Sequence, residues 1–315
     1  MKIICLAPVY NDWPALSKLV TEILLEAEKH HWELISIVAV NDYSPEICDL
    51  TLFPNEAPVQ VVNLTMNLGH QRAIAIGLSY INDNFSNYDG VVVMDSDGED
   101  KPEYIVKLLS KAKDTSFSKV VFAKRSKRSE KFLFRLFYII YKTAFRLLTN
   151  DKISFGNFSF IPTMLLLHII SLPDLWNHYS GSIIRNRLNF DTVPIDRGTR
   201  YFGKSKMNFN SLILHGLSSI SIYLDVVTVK LLIVTIAGFF IAILSLIGVF
   251  ILKIFTAYSI PGWASNISLT LTNIILIMVI ILLLLLFHLN QRNKPSTPMV
   301  KLYKDFILNV NSNKY

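Results

Sequence analysis

VVVMDSDGED, residues 91–100, decides how this chain folds. Val91, Val92, Val93 and Met94 form an apolar run too short for a helix, so they read as a strand buried on both faces. Asp95, Asp97, Glu99 and Asp100 then place four acids within six positions directly beyond that strand. In a parallel sheet wrapped by helices, ligands bind outside the carboxyl ends of the strands. Acids crowded there repel one another unless a cation neutralises them. Hard divalent ions such as Mg2+ or Mn2+ favour one or two carboxylates together with substrate phosphates. The plain alternative is a solvated acidic loop, or the cap of a helix starting at Pro102 and Glu103.

Outward from this run, apolar strands alternate with helical patterns. Residues 3–8, 34–40, 59–64, 90–94 and 119–123 read as strands. Asn11 and Asp12, followed by Pro14, open a helix to about residue 30 with a capping side chain and an early proline. Further helices are expected over 70–81 and from Pro102. This alternation is that of an α/β fold with a mostly parallel sheet. Four polar clusters fall at strand ends: residues 9–11, 41–44, 67–70 and 95–97. There is no Gly-x-Gly-x-x-Gly and no Walker loop, which disfavours ordinary dinucleotide or P-loop binding.

The remainder of the 315 residues is unevenly apolar, with 51% hydrophobic residues overall and a mean hydropathy of +0.39. Residues 1–206 read as one soluble domain. Residues 226–252 and 267–289 each exceed the roughly 20 apolar positions that cross a bilayer, forming a hairpin over 226–289. The loop between them holds Tyr258, Trp263 and one lysine, Lys253. Arg292, Lys294, Lys301 and Lys304 follow in a basic tail, 290–315. The positive-inside rule therefore puts both termini and the soluble domain in the cytoplasm, on a multi-pass inner-membrane protein. Phe209, Leu212, Ile213, Leu217, Ile220 and Leu224 share one helical face, as an interfacial helix over 207–225 would. Residues 131–148 interleave basic and apolar side chains, either at a membrane surface or as a core helix with a solvated face.

The net charge of +7 fits an anionic membrane surface or phosphorylated substrates, and the hairpin disfavours nucleic acid. Cys5 and Cys48 suggest no disulfide framework, and the N-terminus lacks the features of a signal peptide. The seven histidines show no metal-ligand spacing. His70 either approaches a ligand or plays a structural part.

APVYND, VAVNDYSPE, LTMNLGHQRAIAIGL, VVVMDSDGEDKPE, AKRSKR and RYFGKSKM, in this order and followed by the hairpin, resemble family 2 glycosyltransferases of GT-A fold. The likeness is to the polyprenyl-phosphate sugar synthases, which include dolichyl-phosphate mannose synthase and the bactoprenol glucosyltransferases. It implies a GT-A catalytic domain with a Rossmann-like sheet. It also implies metal-dependent, inverting transfer from a UDP- or GDP-sugar to a polyprenyl phosphate. Pro8, Tyr10 and Asp42 would hold base and ribose, with Asn67, Gly69, Asp95 and Ser96 completing the nucleotide-sugar site. Asp97 would be the principal metal ligand, with Glu99 where the family commonly has Gln. Asp95, Asp97, Asp100 and Arg128 would be catalytic. Arg125, Arg128, Arg200, Lys204 and Ser205 would face the diphosphate or lipid phosphate.

Departures from the pattern are Tyr43 for Gly, Met66 for Arg, and Gly156-Asn157-Phe158-Ser159 at the Asp-Phe-Arg position. Two other readings stay open at this point. One is transfer to a lipid-linked glycan, although neither a Gln-x-x-Arg-Trp motif nor additional spans for a growing polymer are found. The other is a non-catalytic binder of lipid phosphate or nucleotide sugar. The lipid-facing hairpin also makes a homo-oligomer plausible.

Overall fold

The computed structural model describes residues 1–125, 156–203, 221–255, 262–292 and 302–313, and residues 143, 147 and 149 singly. The chain divides into two compact units. One comprises Met1–Thr143, Asp151–Ile222 and Thr297–Tyr315, the other Ala144–Asn150 and Tyr223–Ser296.

In the first unit, eight strands form one sheet: β1 (Lys2–Val9), β2 (Glu33–Asn41), β3 (Val59–Leu64), β4 (Gly90–Val93), β5 (Val120–Arg125), β6 (Ser159–Pro162), β7 (Phe190–Ile195) and β8 (Ile307–Ser312). Their order is β7-β5-β6-β4-β1-β2-β3-β8. β1 pairs in parallel with β2 and β4, β2 with β3, and β5 with β7. β6 runs antiparallel between β4 and β5, and β8 antiparallel along β3. The carboxyl ends of β1, β2, β3 and β4 therefore share one edge.

Helices α1 (Trp13–Lys29), α2 (His70–Asn84), α3 (Ile105–Asp114), α4 (Thr163–Ile170) and α5 (Tyr179–Arg185) belong to the same unit. The strand period sorts β1 into two cores. Ile3, Cys5, Ala7 and Val9 join Leu16, Leu19 and Ile23 of α1 and Leu108 of α3. Ile4 and Leu6 join Ile74 and Leu78 of α2 and Ile169 of α4. Burial on both faces explains why β1 is nearly continuously apolar. Both cysteines are free, and burial pushes the Cys5 thiol up to about 12.

Three expectations change. Asp12 occupies the N-cap of α1 but its side chain makes no cap hydrogen bond; the carboxylate is drawn instead to Arg200. The helix expected from Pro102 begins as a 3-10 turn, Pro102–Tyr104, before α3. Part of the supposed basic tail is an edge strand: β8 pairs with β3 over Gln60 to Leu64, and Tyr303 is buried just before it. A strand this short, with exposed polar positions and a partner so far back in the chain, leaves little periodicity to read.

The second unit contains α6 (Leu224–Phe255) and α7 (Trp263–Arg292), each long and apolar enough to cross a membrane and hardly covered by protein. The spans expected over 226–252 and 267–289 fall inside them. Gly238 admits Met278 closely: a Cβ there would lie 2.9 Å from Met278 Cε. The hydroxyls of Thr235, Ser245, Thr270 and Thr272 donate to the carbonyl four residues earlier, at 2.8–2.9 Å. Such back-bonding satisfies each hydroxyl within its own helix. The chain leaves the α/β unit after Ile222 and rejoins it through β8. Residues 207–220 of the expected interfacial helix, and most of 131–148, lie outside the described residues.

Candidate active site

The site is built from the turns that follow β1, β2, β3 and β4. After β2, Asn41 Oδ1 accepts from the Ser44 N–H at 2.9 Å, while Ser44 Oγ accepts from the Asn11 N–H at 2.8 Å. These bonds tie the β1 and β2 turns together. Asn41 Nδ2 donates to Asn63 Oδ1 (2.8 Å), and Asn63 Nδ2 to Asn309 Oδ1 (2.7 Å), a row of amides across β2, β3 and β8. Tyr43, one of the departures from the resembled pattern, keeps a left-handed φ of 60° and is 57% exposed. The backbone bend survives the substitution, at about 1–2 kcal/mol of strain.

Asp42 is buried, and both its oxygens accept backbone N–H groups, from Leu68 at 2.7 Å and Gly69 at 2.8 Å. Burial holds its carboxyl above the usual range even though these two donors pull the other way. Asp42 thus fixes the turn carrying Asn67 and Gly69. Pro8 is buried within β1, while Tyr10 and Asn67 are open to solvent.

Beyond β4, the Asp95 N–H donates to Asp100 Oδ2 at 3.0 Å, and Asp100 is 2% exposed. Asp100, expected among the reacting groups, is buried and holds the turn through this bond. Asp97 Oδ1 accepts from the Glu99 N–H at 3.0 Å, and Oδ2 from Arg200 Nη1 at 3.2 Å. Burial, then the neighbouring Asp95 and Glu99, push the Asp97 carboxyl above its usual range against the pull of Arg200. Glu99 accepts from Arg197, Nε at 3.0 Å and Nη2 at 2.5 Å.

The segment after β7 lies on this acidic turn as a strap. Gly198 N–H donates to Glu99 O, and Tyr201 N–H to Asp97 O, both at 2.9 Å. A Cβ on Gly198 would stand 2.4 Å from Gly98 O; one on Gly98, whose φ is +88°, would stand 2.5 Å from the Tyr201 ring. Arg200 also donates to Asp12 and to Phe202 O, and the Tyr201 hydroxyl donates to Glu22. Arg200, expected at a phosphate, bridges Asp12 and Asp97. Beside the strap opens a cleft of about 420 Å³, lined by Lys18, Glu22, Gly98, Lys101, Arg200 and Tyr201 among others.

On the other side of the acids, His70 Nε2 lies 3.2 Å from Asp95 Oδ1 and 2.9 Å from Asn157 Nδ2. Burial opposes charge on this imidazole, but Asp95, Asp100 and Asp97 outweigh it and raise its pKa. With 41% of its side-chain surface accessible, the carboxylates prevail. The Tyr179 N–H donates to Gln71 Oε1 at 2.7 Å, which turns Gln71 Nε2 towards Asn157 Oδ1 at 3.3 Å. Asn157 and Asp95 thus both lie within hydrogen-bond distance of His70 Nε2. Ser159 is fully buried and meets the Tyr179 hydroxyl at 2.7 Å. Arg125 ends β5 opposite Ile195. Arg128, Lys204 and Ser205 lie outside the described residues.

Sequence reasoning missed Asp12, Arg197 and Gln71. Arg197 stands three residues before Arg200 on the same strap, and that spacing was the one available signal. Asp95, Asp97 and Glu99 offer the hard oxygen donors that suit Mg2+ or Mn2+. Among the described residues no three acids or histidines converge at metal-ligand spacing, and Asp97 and Glu99 each face a guanidinium. The donor chemistry fits such an ion once those two arginines turn away.

Comparison with known proteins identifies the family and the fold. The family model described as "Glycosyl transferase family 2" matches residues 5–172, more than half of the chain. An uncharacterized glycosyltransferase of Synechocystis is 28% identical over 278 residues, covering 82% of this chain and 80% of that protein. The undecaprenyl-phosphate 4-deoxy-4-formamido-L-arabinose transferase of Salmonella choleraesuis is 26% identical, over 67% of this chain and 64% of that protein. Among solved structures, glucosyl-3-phosphoglycerate synthase from Mycobacterium tuberculosis, in complex with Mn2+, UDP and glucosyl-3-phosphoglycerate, superposes with a TM-score of 0.53. That match has 14% identity and covers 71% of this chain and 79% of that one. The shared fold is GT-A.

Proposed function

This chain belongs to glycosyl transferase family 2, and we propose that it moves a sugar from a nucleoside-diphosphate donor to a polyprenyl phosphate at a membrane surface. The observation that carries the acceptor is the path of the chain: it leaves the transferase unit through two long apolar helices and returns to the same sheet. The Salmonella relative, named for undecaprenyl phosphate, supports the same acceptor class. By the positive-inside rule the transferase unit faces the cytoplasm.

Asp97 and Glu99 would hold Mg2+ or Mn2+, whose bound charge neutralises the departing nucleoside diphosphate. The chain's own residues supply the rest. Tyr10 and Asn67 meet the nucleoside, on turns fixed by Ser44 and Asp42. Asp95 and Ser96 face the sugar and diphosphate. Arg197 and Arg200, released from Glu99 and Asp97, become free to pair with the diphosphate oxygens. Arg125, Arg128, Lys204 and Ser205 are assigned to the phosphate of the lipid.

A lipid phosphate has a second pKa near 6 and is largely ionised at pH 7. Its oxygen attacks the anomeric carbon as the bond from that carbon to the diphosphate oxygen breaks, with inversion. No proton has to be removed from the nucleophile, so an amide at Asn157 in place of a carboxylate is no obstacle. Docking the acceptor at the headgroup plane supplies the alignment of two reactants from different phases.

The test is transfer by purified full-length protein with undecaprenyl phosphate, Mg2+ or Mn2+, and a panel of labelled UDP- and GDP-sugars. Label entering the organic phase as a monoglycosyl lipid phosphate is the expected result. No label from any donor, with nucleotide and Mn2+ binding demonstrated, would overturn the acceptor assignment.

A further inference from the structure

We propose that Asn309 of β8 is a positioning residue for the nucleotide-sugar site, acting through Asn63 and Asn41. The inference rests on the reading that the turns after β1, β2 and β3 hold the nucleotide. The strand register sets Asn41 opposite Asn63 and Asn63 opposite Asn309, so three asparagines stand in one line across β2, β3 and β8. Asparagine is depleted in strands, and strand propensity therefore does not account for the line. It runs from the buried Asn41, through the half-buried Asn63, to the exposed Asn309.

The line has one direction, fixed at its buried end. The Ser44 N–H can only donate, so the Asn41 atom 2.9 Å from it is the carbonyl oxygen. Asn41 must then offer its nitrogen to Asn63, whose facing atom is an oxygen at 2.8 Å. Asn63 in turn offers nitrogen to Asn309, which accepts at 2.7 Å. An Asn63 amide turned over would set nitrogen against nitrogen at Asn41 and oxygen against oxygen at Asn309. The acceptor on Asn309 thus works against the turned state and keeps Asn41 Oδ1 on the Ser44 N–H. What that bond holds is the nucleotide site. Ser44 Oγ accepts from the Asn11 N–H, beside Tyr10. Asp42, next to Asn41, accepts from the Leu68 and Gly69 N–H groups, beside Asn67. The outer end of the line lies on the strand formed after both long apolar helices, and its inner end sets the turns assigned to the nucleoside.

The experiment is calorimetric titration of the full-length protein with UDP and with GDP, each in the presence of Mn2+, for the native chain and three variants. Asn309→Leu and Asn309→Thr withdraw the carboxamide oxygen but suit a strand at least as well as asparagine, so β8 stays paired. Both are expected to bind the preferred nucleotide about fivefold more weakly, the worth of one hydrogen bond, without a fall in Tm. Asn309→Asp retains an acceptor for Asn63 Nδ2 and is expected to bind within about twofold of the native chain. A purely structural part for Asn309 predicts the opposite pattern, a lower Tm with affinity unmoved. Native affinity in Asn309→Leu and Asn309→Thr, or an equal loss in Asn309→Asp, would overturn the positioning role while leaving the nucleotide site standing. A native chain that binds neither nucleotide would overturn the site and this inference together.

Discussion

Removing the guanidinium from the strap, as in Arg200→Gln, tests how the acids are held. Arg200 is 19% exposed and sits between Asp12 and Asp97, which are 15% and 20% exposed. Exposed ion pairs contribute about 0–1 kcal/mol, whereas removing one partner of a fully buried pair costs about 3–5 kcal/mol. A cation bridging two mostly covered carboxylates falls between, at about 2–3 kcal/mol. For a unit of this size each kcal/mol shifts Tm by about 2–4 °C, so Tm should fall by about 5–10 °C. The loss should appear in EDTA and shrink in saturating Mn2+, because the ion takes over the charge that arginine neutralised. With its internal competitor gone, Mn2+ should also bind about tenfold more tightly, equivalent to about 1.4 kcal/mol. Tryptophan fluorescence melts and a calorimetric Mn2+ titration on the full chain read both quantities. An unchanged Tm in EDTA, or an unchanged Mn2+ affinity, would refute the reasoning.

Asp97→Ala should abolish label transfer to the organic phase while the protein stays membrane-bound; normal turnover would remove Asp97 from the metal site. Gly98→Ala combines a left-handed φ with a Cβ 2.5 Å from the Tyr201 ring. It should displace the strap at a cost of about 2–4 kcal/mol, seen as a lower Tm and faster proteolysis near residue 200. Asp42→Asn retains one acceptor for two N–H groups and should lose about 1–3 kcal/mol in denaturant titrations, although it removes a charge that burial disfavours.

The parts of this molecule legible in its sequence are those whose signal is local. β1 and β4 are apolar because both faces are buried, and the acids of the turn after β4 follow within six residues. The long apolar helices announce themselves by length. What escaped depends on distant pairing. Asp12 and Arg200 lie 188 positions apart, so a capping role was the local reading of Asp12. Asp100 looks like its neighbours in sequence. Only the turn that brings it to the Asp95 N–H, five residues back, shows that it holds that turn. β6 is four residues long, and its antiparallel insertion between β4 and β5 has no periodic signature.

The amide row from Asn41 to Asn309 has a consequence for biosynthesis. Asn63 and Asn309 are 246 positions apart, with both long apolar helices between them. At about 5–20 residues per second, a ribosome needs roughly 12–50 s to cover that distance. Until then β3 presents an open edge of unpaired peptide groups, the kind of surface that recruits stray strands. The transferase unit is finished only after the hairpin has emerged and its chain has come back. Completion of the sheet is therefore a late event, and a nascent chain stalled in the hairpin would display β3 to the cell's proteases and chaperones.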